Sequence, residues 1–318
     1  MISTEGTKKE STSIVLIITN ITLFCFVIFF GFVIYNTNNN KVLLSRNNKE
    51  VNNSAFNNLV LDAKAVLVWD VVNQKAIYAR NENAPRPLAS LTKIMTAITA
   101  MSVLPKNTIV VVSKEFLAEE GDNGLYVNER WTFNNLLDFS LLVSSNDGMK
   151  SIASVAGASL MAKPDYEIGL KDFIVKMNQN AQKMGLSTMY FNNETGLDLS
   201  DGQNGGVGSA MDITLLLEYA LKEYPNMMEA TKEKSTVINS YDKKHIAKNT
   251  DEAITKIPNI IASKTGYTNM AGGNLMIAFD VGISRPVIIT VLGSTYDGRF
   301  SDIEKLASST MAFVKQNN

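Results

Sequence analysis

The stretch from Pro85 to Thr96, Pro-Arg-Pro-Leu-Ala-Ser-Leu-Thr-Lys-Ile-Met-Thr, constrains the fold more than any other part of this chain. Its two prolines end any preceding helix or strand, because each fixes φ and lacks a backbone donor. An apolar pattern of helical spacing begins directly after Ser90, which predicts that a helix starts at this serine. Lys93 follows three residues later, so its amine is expected over the same face as the Ser90 hydroxyl.

A serine beside a lysine in an apolar setting is a candidate nucleophile with its general base. Burial lowers the pKa of a lysine, and the neutral amine can then accept the proton of a serine hydroxyl. A serine at this position is also a preferred helix N-cap, so the motif alone leaves both interpretations open. A second copy of the motif, Ser240 to Lys243, lies in a polar run typical of a surface turn. We expect that copy to carry no chemistry.

Histidine and cysteine, which often serve as bases, nucleophiles or metal ligands, are scarce in this chain. The 318 residues include one histidine, His245, and one cysteine, Cys25, and the formal net charge is −1. Cys25 lies in an apolar N-terminal run, which excludes internal disulfides and a catalytic cysteine in the globular part. His245 lies among lysines and is expected to be a solvated surface residue. A serine nucleophile would therefore use lysine as its base; no metal, cofactor or nucleic-acid partner is expected.

The N-terminal region contains an apolar run at residues 14–35. At about 1.5 Å per residue in a helix, this run is long enough to span a bilayer. No small-residue cleavage pattern follows it, which favours an uncleaved transmembrane anchor over a secretory signal peptide. Basic residues flank the run on both sides, so charge alone does not fix its orientation.

The chain is predicted to have four parts: a short cytoplasmic tail (1–13), the transmembrane anchor (14–35), a linker (36–58) and one catalytic domain (59–318). The linker is rich in asparagine and lacks a sustained apolar period, which is typical of a flexible tether. We expect it to hold the catalytic domain off the membrane, on the extracytoplasmic side.

Patterns within the domain predict an α/β (α+β) fold, in which strands from both chain ends form a mixed antiparallel sheet around an inserted helical cluster. Thr132 is the expected N-cap of one helix, which ends near Ser144, where the next helix begins. Further strands are expected at 65–70, 75–79, 110–112, 260–264, 275–279 and 287–293, and further helices at 170–184, 211–224 and 303–314.

Two later motifs offer the groups that a serine–lysine pair would need. Ser144-x-Asn146 lies between two predicted helices. A hydroxyl there can relay a proton to a leaving amine, and a carboxamide can hold a peptide backbone. Lys264-Thr265-Gly266 closes an apolar strand, where it offers a cation, a hydroxyl and a backbone open to close approach. Either motif alone is weak, since Ser45-Arg46-Asn47 in the linker also matches Ser-x-Asn.

The three motifs together, in this order, match the set found in penicillin-binding proteins and class A β-lactamases. Over residues 60–318 the sequence resembles the serine-type D-Ala-D-Ala carboxypeptidases, the low-molecular-weight penicillin-binding proteins. The resemblance implies a β-lactamase/transpeptidase-like fold. It also implies a peptidoglycan stem peptide as substrate and β-lactams as covalent inhibitors. The matching segments are 87–96, 141–147, 191–198, 209–212 and 264–268.

The resemblance further implies roles for the motif residues. Ser90 would attack the carbonyl of the terminal D-Ala-D-Ala bond and form an acyl-enzyme, with Lys93 as its general base. Ser144 would pass a proton to the departing D-alanine. Asn146 would hold the substrate amide and orient Lys93.

The remaining implied roles concern substrate binding. Lys264 and Thr265 would bind the terminal carboxylate, beside Gly266. The backbone N–H groups of Ser90 and Tyr267 would form an oxyanion hole. Arg299, which lies 35 positions after Lys264, would be a further carboxylate ligand. Its alternative is a surface arginine paired with Asp302.

Three other functions stay open at this point. A class A β-lactamase-like hydrolase needs a glutamate to activate water, and Glu194 is the candidate, although it lies 50 positions after Ser144, farther than expected. A DD-endopeptidase that cuts peptidoglycan cross-links would use the same residues as a carboxypeptidase. A non-catalytic, membrane-tethered peptidoglycan-binding protein is disfavoured by the complete set of motif residues.

Overall fold

The computed structural model describes residues 53–118, 124–161, 166–282 and 284–317. The predicted tail, the anchor at 14–35, most of the linker and Cys25 lie outside the described residues. Within them, no helix combines the length and the apolar character needed to cross a membrane.

The strands are, in chain order, β1 Ala65–Asp70, β2 Lys75–Arg80, β3 Arg86–Pro87, β4 Ile109–Val111, β5 Arg130–Thr132, β6 Tyr190–Phe191, β7 Gly206–Gly208, β8 Ser235–Asn239, β9 Lys244–Lys248, β10 Ile260–Thr268, β11 Gly272–Asp280 and β12 Pro286–Ser294. The α-helices are α1 Lys93–Met101, α2 Phe133–Leu142, α3 Asn146–Met161, α4 Tyr166–Lys183, α5 Ala210–Glu223 and α6 Gly298–Asn317. Short 3₁₀ helices cover Asn53–Phe56, Ala89–Thr92, Phe116–Ala118 and Glu229–Lys232.

A five-stranded sheet, in the order β10-β11-β12-β1-β2, draws its strands from both ends of the chain, as predicted. All four pairings in this sheet are antiparallel, so the expectation of a mixed sheet is corrected here. The α/β (α+β) class is confirmed. Because β10 is an edge strand, one side of its backbone is left for contacts other than sheet pairing.

Both faces of the sheet are covered, which explains why every residue of β1 is buried. Side chains alternate along a strand. Leu67 therefore packs with the helical cluster, whereas Val66 and Val68 pack with Phe300 and Ile303 of α6. The described residues thus form three layers: the helical cluster, the sheet, and α6 with the 3₁₀ turn at Asn53–Phe56.

Helix α1 lies at the centre of the helical cluster, and its residues from Lys93 to Ala100 are all buried. It contacts α3, α4 and α5. A helix of nine residues is marginal in isolation, so this packing stabilises it. Thr132 caps α2 as predicted, because its side chain accepts a hydrogen bond from Asn135 N at 3.2 Å.

The expectation that His245 is a solvated surface residue is wrong. Its side chain is 8% exposed, and Nε2 lies 2.6 Å from Glu129 Oε1. The ring packs against Trp131 and Phe139. Strand β9 alternates between exposed and buried positions, so His245 and Ala247 point inward while the lysines point to solvent. The lysines of this segment suggested that all of it is exposed, whereas its burial alternates with the period of two that is typical of a strand.

Candidate active site

The turn that carries Ser90 is a 3₁₀ helix, and the α-helix begins only at Lys93, so Ser90 is not a helix N-cap. Ala89 has a φ of 48°, in the left-handed region. Neighbouring contacts hold this strained turn: Leu88 N donates to Gly206 O at 2.9 Å, and Asn274 Nδ2 donates to the carbonyl of Leu88 at 3.0 Å. The Ser90 side chain is thereby fixed just before the N-terminus of α1, where it is half-buried.

Lys93 brings the first two motifs together. Its side chain is fully buried, and Nζ donates hydrogen bonds to Ser90 Oγ at 2.8 Å and to Asn146 Oδ1 at 2.7 Å. It also donates to the carbonyl of Thr195 at 2.7 Å. A neutral amine has two N–H groups and one lone pair. It could therefore keep its bonds to Asn146 and Thr195 while it accepts the Ser90 proton.

The carbonyl of Thr195 is a site group that sequence reasoning missed. It belongs to the 191–198 segment, in which Asn193 Oδ1 accepts hydrogen bonds from Thr195 N at 3.2 Å and from Gly196 N at 2.7 Å. Gly196 has a φ of 83°, and a Cβ there would collide with the carbonyl of Ala89. Glycine is thus required for this segment to approach the Ser90 turn and present the Thr195 carbonyl to Lys93.

Ser144 lies in the loop between α2 and α3, with a φ of 60° that is uncommon for a serine. The next residue, Ser145, accepts a hydrogen bond from Gly148 N at 3.0 Å and so caps the first turn of α3. This arrangement places Ser144 and Asn146 on either side of the cap. Lys93 therefore contacts Asn146 while Ser144 faces the sheet.

Lys264 joins the third motif to the second. Its Nζ donates hydrogen bonds to Ser144 Oγ and to the carbonyl of Thr265, both at 2.8 Å. Burial holds the pKa of Lys264 well below its usual range, and the charges of Lys93 and Arg299 lower it further. The side chain is 1% exposed. An incoming anion would favour the protonated form of Lys264.

Among the described residues, the outer edge of β10 has no neighbouring strand. Ser263 N donates to Thr231 Oγ1 at 3.1 Å, away from β11. Because the pattern alternates, the N–H groups of Thr265 and Tyr267 also face this open edge. A Cβ built at Gly266 would lie 3.1 Å from Ser90 N, which shows how closely the Ser90 turn approaches β10. The Ser90 turn thus lies against the strand that carries Tyr267, the second backbone donor expected in an oxyanion hole.

Arg299 is buried beside β10 and is not a surface residue. Its Nη1 donates to the carbonyl of Gly266 at 2.9 Å, and its guanidinium lies 4.4 Å from the centre of the Tyr296 ring. The alternative pairing with Asp302 is wrong. Asp302 instead accepts hydrogen bonds from Ala63 N at 2.9 Å and from Ser294 Oγ at 2.8 Å.

One sequence motif and one cavity lie outside this constellation. The second serine–lysine motif is the β8–β9 turn, where Ser240 Oγ accepts from Lys243 N at 2.8 Å and Lys243 is exposed. A cavity of about 840 Å³ lies along the N-terminal half of α2 and is lined by Asp138 and Glu229. Burial, then the charge of Glu229, raise the pKa of Asp138 to about 7.

Comparison with known proteins finds one matching family model and several relatives of this chain. A family model described as D-alanyl-D-alanine carboxypeptidase, Peptidase S11, matches residues 52–295. The chain is 29% identical to the D-alanyl-D-alanine carboxypeptidase DacB2 of Mycobacterium tuberculosis, over 74% of this chain and 77% of that protein. It is also 29% identical to DacF of Bacillus subtilis, over 78% of this chain but 62% of the relative. A D-alanyl-D-alanine endopeptidase of Pseudomonas aeruginosa is 29% identical over 73% of this chain and 71% of its own length.

Solved structures share the fold. Penicillin-binding protein D2 from Listeria monocytogenes, in a cefotaxime-bound form, is 27% identical, with a TM-score of 0.66 over 79% of this chain and 98% of that one. A DD-transpeptidase from Streptomyces reaches a TM-score of 0.71 at 24% identity, over 80% of this chain and 99% of that one. The latter likeness concerns the fold alone.

Proposed function

Because the chain belongs to the D-alanyl-D-alanine carboxypeptidase family, Peptidase S11, we propose that it removes the terminal D-alanine from peptidoglycan stem peptides through an acyl-enzyme on Ser90. The contact between Lys93 Nζ and Ser90 Oγ, at 2.8 Å inside a buried site, carries this proposal. It supplies a nucleophile and a base in hydrogen-bond reach without any histidine. The family assignment favours this function over a class A β-lactamase-like hydrolase or a non-catalytic binder.

Acylation begins when Ser90 Oγ attacks the carbonyl carbon of the terminal peptide bond. The hydroxyl proton passes to the neutral amine of Lys93, which Asn146 and Thr195 hold in place. The backbone N–H groups of Ser90 and Tyr267 stabilise the oxyanion, a contribution of about 3 kcal/mol per donor.

Collapse of the tetrahedral intermediate breaks the carbon–nitrogen bond and forms the ester on Ser90. The leaving nitrogen takes a proton from Ser144, which regains one from Lys264 through their 2.8 Å hydrogen bond. Water then hydrolyses the ester, and Ser90 recovers its proton. Lys93 then releases the proton that it accepted from Ser90, and Lys264 takes one up, so both lysines return to their starting states.

An exopeptidase must also recognise the free end of its substrate. A carboxylate only accepts hydrogen bonds, so its ligands must be donors. Lys264, Thr265 and Arg299 lie along or beside the open end of β10 and offer two cations and a hydroxyl. We assign them to the terminal carboxylate.

Release of D-alanine from diacetyl-Lys-D-Ala-D-Ala tests this proposal. Wild type should release D-alanine, and Ser90→Ala should release none. A peptide amidated at its C-terminus should be cut roughly 30- to 150-fold less efficiently, the equivalent of about 2–3 kcal/mol for a lost charge-assisted contact. Equal cleavage of acid and amide would favour the DD-endopeptidase alternative, an activity that also appears in the names of some relatives.

We also propose that the 14–35 run anchors the protein in the cell membrane with the catalytic domain outside the cytoplasm. The apolar length of the run and a substrate that occurs in the cell wall support this topology. Protease added to intact, wall-stripped cells should release a fragment of the catalytic domain. Resistance until the cells are lysed would contradict the proposal.

A further inference from the structure

Thr250 lies beside the proposed carboxylate site, in the segment that connects β9 to β10. Its Oγ1 is 2.5 Å from Thr265 Oγ1. Thr265 is 4% exposed and Thr250 is half-buried, so Thr250 shields one side of the Thr265 hydroxyl. None of the motifs includes Thr250.

The neighbours of Thr250 fix its position. Asn249 Nδ2 donates to the carbonyls of Thr231 and Glu233, at 2.8 Å and 3.0 Å. On the other side, Asp251 Oδ2 accepts a hydrogen bond from Ser263 Oγ at 2.6 Å. Asp251 is thus hydrogen-bonded to β10, and Asn249 is hydrogen-bonded to the segment around Thr231, which packs on β10. The Thr250 hydroxyl is therefore held against Thr265 by the fold.

The direction of the hydrogen bond between the two hydroxyls decides what Thr265 can do. Each hydroxyl has one proton to donate. If Thr265 donates to Thr250, it has no proton left for a carboxylate. If Thr250 donates to Thr265, the Thr265 proton is free for the substrate. In the part of the chain that the structure describes, neither Oγ1 has another hydrogen-bond partner, so a bound carboxylate would select the second arrangement.

We propose that Thr250 is a specificity-determining positioning residue, whose hydroxyl donates to Thr265 Oγ1 and so directs the Thr265 proton to the free carboxylate of the substrate. This inference rests on the proposed function, since it requires that β10 recognise a terminal carboxylate. In a chain of hydrogen bonds each donor polarises the next, so Thr265 becomes a stronger donor.

The lowered pKa of Lys264 explains why the hydroxyl pair of Thr250 and Thr265 matters for binding a carboxylate. Burial, with the charges of Lys93 and Arg299, holds the pKa of Lys264 well below its usual range, so Lys264 loses its positive charge at a lower pH than an ordinary lysine does. Neutral donors keep their protons at every working pH. Thr250 and Thr265 therefore supply a recognition contact that does not depend on the protonation of Lys264.

The test compares ligands that differ only at the carboxylate. Acylation by benzylpenicillin and by its methyl ester is followed by intact mass in wild type, Thr250→Val, Thr250→Ser and Thr236→Val. Thr236 is a half-buried threonine on β8 that lies away from Ser90 and serves as the matched control.

Thr250→Val should slow acylation by the free acid about 5- to 10-fold, the size expected for one hydrogen bond, and change the ester rate less than about 2-fold. Thr250→Ser, which keeps the hydroxyl, and Thr236→Val should resemble wild type with both compounds. An unchanged acid-to-ester ratio in Thr250→Val would overturn the inference, whether both rates fell or neither did.

Failure of this inference and failure of the proposed function give different results. If wild type releases D-alanine but the acid-to-ester ratio of Thr250→Val equals that of wild type, only the role of Thr250 is wrong. If wild type releases no D-alanine, the proposed function is wrong, and the penicillin rates still decide whether Thr250 directs a carboxylate contact.

Discussion

Lys264 Nζ donates a 2.8 Å hydrogen bond to Ser144 Oγ, and this contact connects the edge of the sheet to the helical cluster across 120 positions of sequence. A buried amine is expensive unless its partners compensate for lost hydration. Both lysines of the site are almost completely buried, and the charge of one lowers the pKa of the other. The arrangement therefore places a functional group where an apolar side chain would stabilise the fold more.

Replacing Lys264 by methionine should separate activity from stability. The variant should lose about 30-fold or more in the rate of acylation by benzylpenicillin, because a charge-assisted contact is gone. Its melting temperature should stay the same or rise, since an apolar side chain of similar length replaces a buried amine. Lys75→Met, at an exposed lysine on β2, is the control and should change neither quantity.

The stability difference for Lys264→Met should depend on pH. In the folded protein Lys264 has a lowered pKa, so the unfolded chain binds more protons between that pKa and the usual lysine value of about 10.4. Wild-type stability therefore rises with pH through this window. Thermal unfolding should show a larger advantage of the variant at pH 7 than at pH 10. An advantage that grew with pH would contradict the lowered pKa of Lys264.

Asp138 should produce a pH dependence of opposite sign. Burial and the charge of Glu229 raise its pKa from 3.8 to about 7, against the opposing charge of Lys106. The folded protein then binds the extra proton between these values, so this carboxyl costs stability as pH rises from about 4 to 7. Asp138→Asn should raise the free energy of unfolding by about 1–3 kcal/mol at pH 8 and little at pH 4. Equal effects at both pH values would contradict the raised pKa.

Gly266 should be essential for acylation rather than for folding. A Cβ at this position would lie 3.0 Å from the carbonyl of Leu88 and 3.1 Å from Ser90 N, which is tighter than normal packing. Gly266→Ala should therefore displace the Ser90 turn and slow penicillin acylation at least about 10-fold, while the circular dichroism spectrum stays native. Gly282→Ala, with no atom within 4 Å of the added methyl, is the control. An unchanged acylation rate in Gly266→Ala would show that the turn tolerates the displacement.

The sequence predicted which site residues are local neighbours, because they belong to motifs with fixed local geometry. Ser90 and Lys93 share one turn, and Ser144 and Asn146 flank one helix cap, so their spacing already implies their relation. The contribution of strands from both chain ends to one sheet also followed from apolar patterns in those segments. These features depend on local periodicity, which a single sequence displays directly.

Other features depend on tertiary contacts and had no local signature. The Thr195 carbonyl is a backbone acceptor, and any residue type could supply it. Thr250 lies 15 positions before Thr265 and becomes relevant only because the segment after β9 folds back along β10. His245 is buried since its strand turns one face to Trp131, which composition could not reveal. Such contacts are set by packing between distant segments.

The most direct test of the central claim is the intact mass of the protein before and after exposure to benzylpenicillin. Wild type and Ser240→Ala, which alters the second serine–lysine motif, should each gain the mass of one penicillin molecule. Ser90→Ala and Lys93→Ala should gain none, because the first lacks the nucleophile and the second lacks its base. Covalent labelling that survives in Ser90→Ala would contradict the assignment of Ser90 as the nucleophile.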